Sequence, residues 1–243
     1  MDKRIFHIAT IPQREAALKE VLDSVINQAD EIHVYMNEWS HTPNYLNNSK
    51  IKIYRSQQEN GNLGDVGKFY NCENWERGYH FTIDDKIVYP KNHAELQIKT
   101  IERHNREVVV SCHGRLMKPK TTSYYNDCEA FYGVLMQQCK DKFAHELGTG
   151  AMTFHTDTVP FFELDIFPYI NMTDIYFSMF LQQNEIPILI RAHDAGDFTI
   201  AKQHDDRYSI HNYLNKNDEF QTQVVNTIDW KLNTSESPNQ NNQ

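Results

Sequence analysis

The feature that most constrains this chain is a change of hydrophobic period repeated along its first half, where short strand-like runs give way to segments with apolar residues at helical spacing. Arg4 to Ala9 is an apolar-rich run closed by Thr10-Ile11-Pro12. Leu18, Val21, Leu22, Val25 and Ile26 then recur along one helix face. Glu31 to Met36 alternates, with Ile32, Val34 and Met36 on one side, and Lys50 to Tyr54 repeats the pattern through Ile51 and Ile53. Between them, the Asn-rich stretch Thr42 to Ser49 with its one proline predicts a turn. Gln57 to Gly67 is a polar loop with three glycines that leads into a predicted helix ending near Trp75. His80 to Ile83 is a short strand closed by Asp84-Asp85, Lys91 to Asn105 a helix behind Pro90, and Val108 to Ser111 a fully apolar strand. This alternation predicts an α/β domain with a mostly parallel central sheet flanked by helices, whose ligands sit beyond the carboxyl ends of the strands.

The second half is less regular. Tyr124 to Lys140 is expected to include a helix, Ala151 to His155 reads as a strand, Thr173 to Gln183 as a helix capped by Thr173, and Ile186 to Ile190 as a strand. Arg207 to Asn215 reads as helical, and the tail 233–243, with no apolar residue, as disordered. That polar ending leaves open whether further domains follow. With 243 residues and 40% hydrophobic residues, the chain can close its own core as a single domain over 1–232.

Lys+Arg 24 against Asp+Glu 33 gives a net charge of −9, which disfavours a nucleic-acid partner and leaves room for a small anion. No run of eighteen apolar residues predicts a membrane span, and the N-terminal apolar stretch is too short for a secretion signal. A cytoplasmic location is expected, with peripheral attachment at the inner membrane face compatible. Cys72, Cys112, Cys128 and Cys139 are scattered without metal-like spacing, so they read as reduced thiols.

Several short segments carry residues suited to chemistry. Arg14 follows Pro12 near a helix start, where a guanidinium suits a phosphate or a base carbonyl, although alone it reads as a solvated side chain. Asp84 and Asp85 stand at a strand end, and adjacent carboxylates repel unless a cation or a ligand hydroxyl uses them; turns also favour Asp. Gly148-Thr149-Gly150 is a small-residue bend whose amides are able to face a ligand. Asp174 lies in the first turn of a helix, where the dipole alone favours a carboxylate. Trp39, Tyr124 and Tyr125 suit stacking on sugar rings or, individually, core packing.

In order, Ile8 to Arg14, Gly61 to Phe69, Thr82 to Pro90, Leu147 to Gly150 with Phe154 to Thr156, and Asn171 to Ile175 resemble the signatures of family-2-like glycosyltransferases of the GT-A type, across about residues 4–196. The resemblance implies a nucleotide-sugar donor, usually a UDP-sugar, and inverting transfer to a saccharide or glycolipid hydroxyl, as in surface-polysaccharide assembly such as capsule or lipopolysaccharide. It implies a donor half at about 1–110, an acceptor half at about 111–200 and a helical C-terminal segment at about 201–232. By position, Thr10, Pro12 and Arg14 would line the nucleoside pocket, with Asp65 and Lys68 near the base or diphosphate. Asp84 would hold the ribose, and Asp85 a Mn²⁺ or Mg²⁺ ion. Asp174 would be the general base. Gly148, Thr149, Gly150 and His155 would shape the sugar and acceptor pockets, and His193 would be a late metal ligand by approximate position. Lys86 departs from the family, many members of which carry a third Asp there, so an ammonium stands where the ion's ligand is expected. Two alternatives stay open: a sugar-phosphate nucleotidyltransferase, whose usual Gly-rich basic N-terminal loop is missing, and a non-catalytic nucleotide-sugar or glycan binder.

Overall fold

The computed structural model describes residues 2–208 and 217–234. Strand β1 (Lys3–Thr10) turns Phe6 and Ile8 to one face and Ile5 and His7 to the other, and all four are buried, as befits a strand inside a sheet. Helix α1 (Glu15–Val25) buries Ala17, Leu18, Val21, Leu22 and Val25 as one stripe. Then come β2 (Glu31–Met36), β3 (Ile51–Arg55), β4 (Gly78–Asp84), β5 (Ile87–Val88), α2 (His93–Arg103) and β6 (Val109–Ser111). The remainder holds β7 (Gly114–Leu116), β8 (Ala130–Tyr132), β9 (Lys142–Ala144), β10 (Glu146–Leu147), β11 (Ala151–His155), α3 (Thr173–Gln183), β12 (Ile188–Ile190), β13 (Thr199–Ile200) and α4 (Glu219–Val225).

Eight strands form the central sheet in the order β3-β2-β1-β4-β11-β6-β12-β9. All but β11 and β9 run the same way: β11 enters antiparallel between β4 and β6, and β9 closes the edge antiparallel to β12. The fold is therefore mixed α/β with a large, mostly parallel sheet. Helices α1 and α2 pack on the face carrying Phe6, Ile8, Val34, Phe81 and Ile83. On the other face, α3 packs Ile175, Phe177 and Leu181 with Phe69, Met152 and Phe154. A smaller sheet, β10-β7-β8, adjoins this second core.

Three predicted elements differ from those observed. The helix expected up to Trp75 is two 3-10 segments, Gly64–Phe69 and Cys72–Asn74, separated by Asn71 at φ 60°, a left-handed conformation that stops helix propagation. Gly67 lies so close to β2 that an added Cβ would fall 2.5 Å from the Tyr35 ring, so this segment is shaped by the sheet beneath it. Within Tyr124 to Lys140 there is no helix; Ala130–Tyr132 instead pairs with β7. Thr173 is the first residue of α3 rather than its cap, and Met172 holds the cap position without a side-chain hydrogen bond. Of the 207–215 segment, Arg207 and Tyr208 belong to the 3-10 turn Asp206–Tyr208, and the rest lies outside the described residues, as does most of the 233–243 tail. All four cysteines are free, and among the described residues no helix is long and apolar enough to cross a membrane.

Candidate active site

The parallel strands β1 and β4 end at Thr10 and Asp84, and β11 begins at the same edge because it runs the opposite way. Beyond that edge opens a cavity of about 940 Å³, within the range of small-molecule sites. Thr10, Arg14, Asp65, Lys68, Asp84, Asp85, Lys86, Gly148, Thr149, Gly150 and Asp174 all line it. Three predicted residues do not. Pro12 opens the 3-10 turn leading into α1 and is not part of the lining.

His155 terminates β11 at the opposite edge of the sheet, where its ring is buried against Arg106, Asp2 and Tyr79. It serves that charge network, not a sugar pocket. His193 is buried beside Phe198, its Nδ1 donates to the Arg191 carbonyl at 2.9 Å, and its backbone bridges to Gln138. Trp39 is likewise a core residue, donating from Nε1 to the Thr10 carbonyl at 3.3 Å.

Charge dominates the floor. Arg14 Nη1 donates to Asp85 Oδ1 at 2.5 Å, and its Nη2 to the Tyr208 carbonyl at 2.7 Å. Lys68 Nζ donates to Asp84 Oδ1 at 2.9 Å. Burial pushes the Asp84 carboxyl up, but the charges of Lys68, Lys86 and Arg14 outweigh it and hold it well below the ordinary carboxylate value. For Asp85, burial wins and its pKa is raised, with Arg14 opposing and Asp84 adding to the rise. Gly150 is required here, because a Cβ would fall 2.5 Å from Asp84 Cγ.

Asp65 does not face a ligand with a free carboxylate. Its Oδ1 accepts the Asn171 amide at 2.5 Å, and its Oδ2 accepts the Thr173 amide at 3.2 Å and hydroxyl at 2.6 Å. Those groups open α3, so Asp65 takes up helix-start donors from a distant loop. Asp174 follows in the first turn of α3. Its Oδ1 accepts both the amide and the hydroxyl of Thr149, each at 2.7 Å, and no described residue donates to Oδ2. The Gly148-Thr149-Gly150 bend thus orients Asp174.

The second wall escaped sequence reasoning. Arg115, on β7, lies over the Tyr124 ring at 4.4 Å, donates to the Tyr124 carbonyl at 2.5 Å and approaches Glu146 Oε2 at 3.6 Å. Burial pushes Glu146 up to about 7 despite Arg115. His113, against which Gly148 packs, is lowered to about 4, chiefly by burial. Gln221 of α4 reaches this wall with Oε1 unpartnered among the described residues, and α4 is fastened there by hydrogen bonds such as Tyr124 N to Thr222 Oγ1 at 2.9 Å. Nothing in the local sequence marks Arg115, His113, Glu146 or Gln221; only the two adjacent tyrosines gave a signal.

The metal proposed at Asp85 and His193 is not matched by the donor set. Each of Asp84 and Asp85 has a cationic partner, His193 does not line the cavity, and among the described residues no group of three His, Cys, Asp or Glu side chains is placed to hold an ion.

No protein-family model matches the sequence, and no curated protein matches it. Among solved structures, the inositol-1-phosphate CTP transferase from T. maritima is similar at 10% sequence identity and a TM-score of 0.45, over 89% of this chain and 97% of that one. Likeness at that level transfers neither family nor activity.

Proposed function

We propose that this chain transfers a sugar from a nucleoside-diphosphate donor to an acceptor hydroxyl, as in the family-2-like GT-A glycosyltransferases that its motifs resemble. The observation that supports this best is Asp174, anchored through Oδ1 and open at Oδ2, in one cavity with the Asp84-Asp85-Lys86 corner. In this reading the donor lies across the ends of β1 and β4, with its ribose at Asp84 and its diphosphate among the cations. Asp174 Oδ2 takes the proton of the acceptor hydroxyl as that oxygen attacks the anomeric carbon. The carbon–oxygen bond to the diphosphate breaks, and its electron pair leaves on the nucleoside diphosphate. Tyr124, Tyr125 and Arg115 form the wall against which the acceptor rests.

A positioned base contributes about 10²–10⁴-fold, so Asp174→Asn lowers turnover on that scale while donor affinity stays within about threefold. The assay is nucleoside-diphosphate release from a panel of UDP-, GDP-, CDP- and dTDP-sugars with saccharide acceptors, beside calorimetry of donor binding. Undiminished turnover in Asp174→Asn would remove the base assignment.

The four cations lining the cavity, Arg14, Lys68, Lys86 and Arg115, favour one second reading, nucleotidyl transfer from a nucleoside triphosphate to a sugar phosphate. Pyrophosphate as the released product supports that reading, and a nucleoside diphosphate supports the first. Donor binding without release of either product, across the acceptor panel, supports a binding module instead.

A further inference from the structure

Each carboxylate lining the cavity already has a partner on at least one oxygen. Asp85 is paired with Arg14 and Asp84 with Lys68, and the side chains of Arg14, Asp85 and Lys68 are 8%, 9% and 5% exposed. Asp65 spends both oxygens on the start of α3, and Asp174 spends one on Thr149. Arg115 has Glu146 as its ionic neighbour. Lys86 alone among the cavity's cations has no ion pair with any described carboxylate, although it follows Asp85 directly and its charge bears on Asp84.

A Mg²⁺ or Mn²⁺ ion at this corner would share its carboxylates with Arg14 and Lys68, and it would sit beside an uncompensated ammonium. A diphosphate has the opposite requirement: it brings the negative charge that Lys86 lacks, and an ammonium offers it three donors. We propose that Lys86 is the counter-charge for the ligand's diphosphate, so that a nucleoside diphosphate binds in this cavity without a divalent cation. This rests on the nucleotide-dependent reading above. It goes beyond that reading by assigning the charge partner and by removing the metal from donor binding.

The test is calorimetry of the full chain with UDP, GDP, CDP and dTDP, and with the corresponding monophosphates, in EDTA and then in excess Mn²⁺. The expected result is binding of one nucleoside diphosphate with an affinity that changes less than about threefold between EDTA and Mn²⁺. Loss of a charge-assisted contact corresponds to about tenfold in affinity. Accordingly, Lys86→Ala weakens the diphosphate about tenfold and the monophosphate much less, Lys86→Arg keeps most of the affinity, and Lys86→Asp makes diphosphate binding Mn²⁺-dependent. Lys86 is half-buried, and unfolding midpoints without ligand establish that each variant is folded. Diphosphate binding that vanishes in EDTA and returns with Mn²⁺ overturns the counter-charge assignment while leaving the nucleotide reading intact. So does an equal loss for mono- and diphosphate in Lys86→Ala. No binding of any nucleotide under either condition overturns both.

Discussion

Arg14 and Asp85 are nearly enclosed, so neither charge is solvated without the other. Arg14→Ala strands a buried carboxylate, and the expected loss is about 3–5 kcal/mol in urea unfolding, whereas Arg14→Met with Asp85→Leu recovers most of it. If the double variant is as unstable as the single one, the pair is not what holds this corner. The residues readable in advance were those at strand ends and tight bends, Asp84, Asp85, Gly150 and Asp174, where composition alone departs from what a strand or helix interior prefers. Arg115, Glu146 and Gln221 were not readable. Arg115 and Gln221 are ordinary side chains brought to the cavity by tertiary packing of the small sheet and α4, with Glu146 beside Arg115, and no local pattern encodes that packing.

At the scale of elements, α3 is the clearest case of one segment being set by another. Its opening amide and hydroxyl at Thr173, and the amide of Asn171 before it, are satisfied by Asp65 from the 3-10 segment under β1 and β2. Asp65→Ala removes those acceptors, with an expected cost of about 1–2 kcal/mol, as for loss of a helix cap. Because Asp174 rides on the same turn, turnover in the proposed reaction falls in this variant with donor affinity nearly kept. A thermal melt alongside kcat and donor Kd distinguishes this from simple destabilisation. β1, α1, β2, β3 and β4 are legible because short apolar-rich runs and one helical stripe stand apart in the sequence, and all but the edge strand β3 are largely buried. The helix expected after Tyr124 does not form because pairing of Ala130–Tyr132 with β7 decides the shape of that stretch. The cap of α3 was misplaced for a related reason: the acceptor lies more than a hundred residues away in sequence.

Across the whole molecule, buried histidines set the response to acid. His80 Nε2 donates to the Glu76 carbonyl at 2.8 Å, so its Nδ1 accepts from His7 Nε2 at 2.9 Å, and Trp75 stacks on both rings. Burial lowers His7 far below its ordinary value, His80 to about 4 and His93 to about 3. A depressed histidine stabilises the fold above its unfolded value of 6.5 and loses that contribution as pH falls towards the folded value. Between pH 7.5 and pH 5 the loss is about 2 kcal/mol for each such histidine. Glu146 acts oppositely: raised to about 7 from 4.5, its contribution is present at low pH and lost as pH rises through 7. Urea titrations are expected to show stability falling from pH 7.5 to pH 5, and falling more steeply in Glu146→Gln. A flat profile in both proteins would rule out this account.

The placement of β11 reaches beyond the cavity to how the chain is made. A ribosome releases β1, β2, β3 and β4 long before Ala151–His155, so β4 waits with one row of amides and carbonyls unpaired. That row lies mid-sheet in the finished protein, on a strand buried on both faces, with Tyr79, Phe81 and Ile83 on one and His80 and Thr82 on the other, as natural outer strands seldom are. Residues 1–110 expressed alone are therefore expected to aggregate through β4, whereas a product extended past β11 stays dispersed, as centrifugation of matched lysates would reveal. The two halves of the molecule share a seam that neither can close by itself.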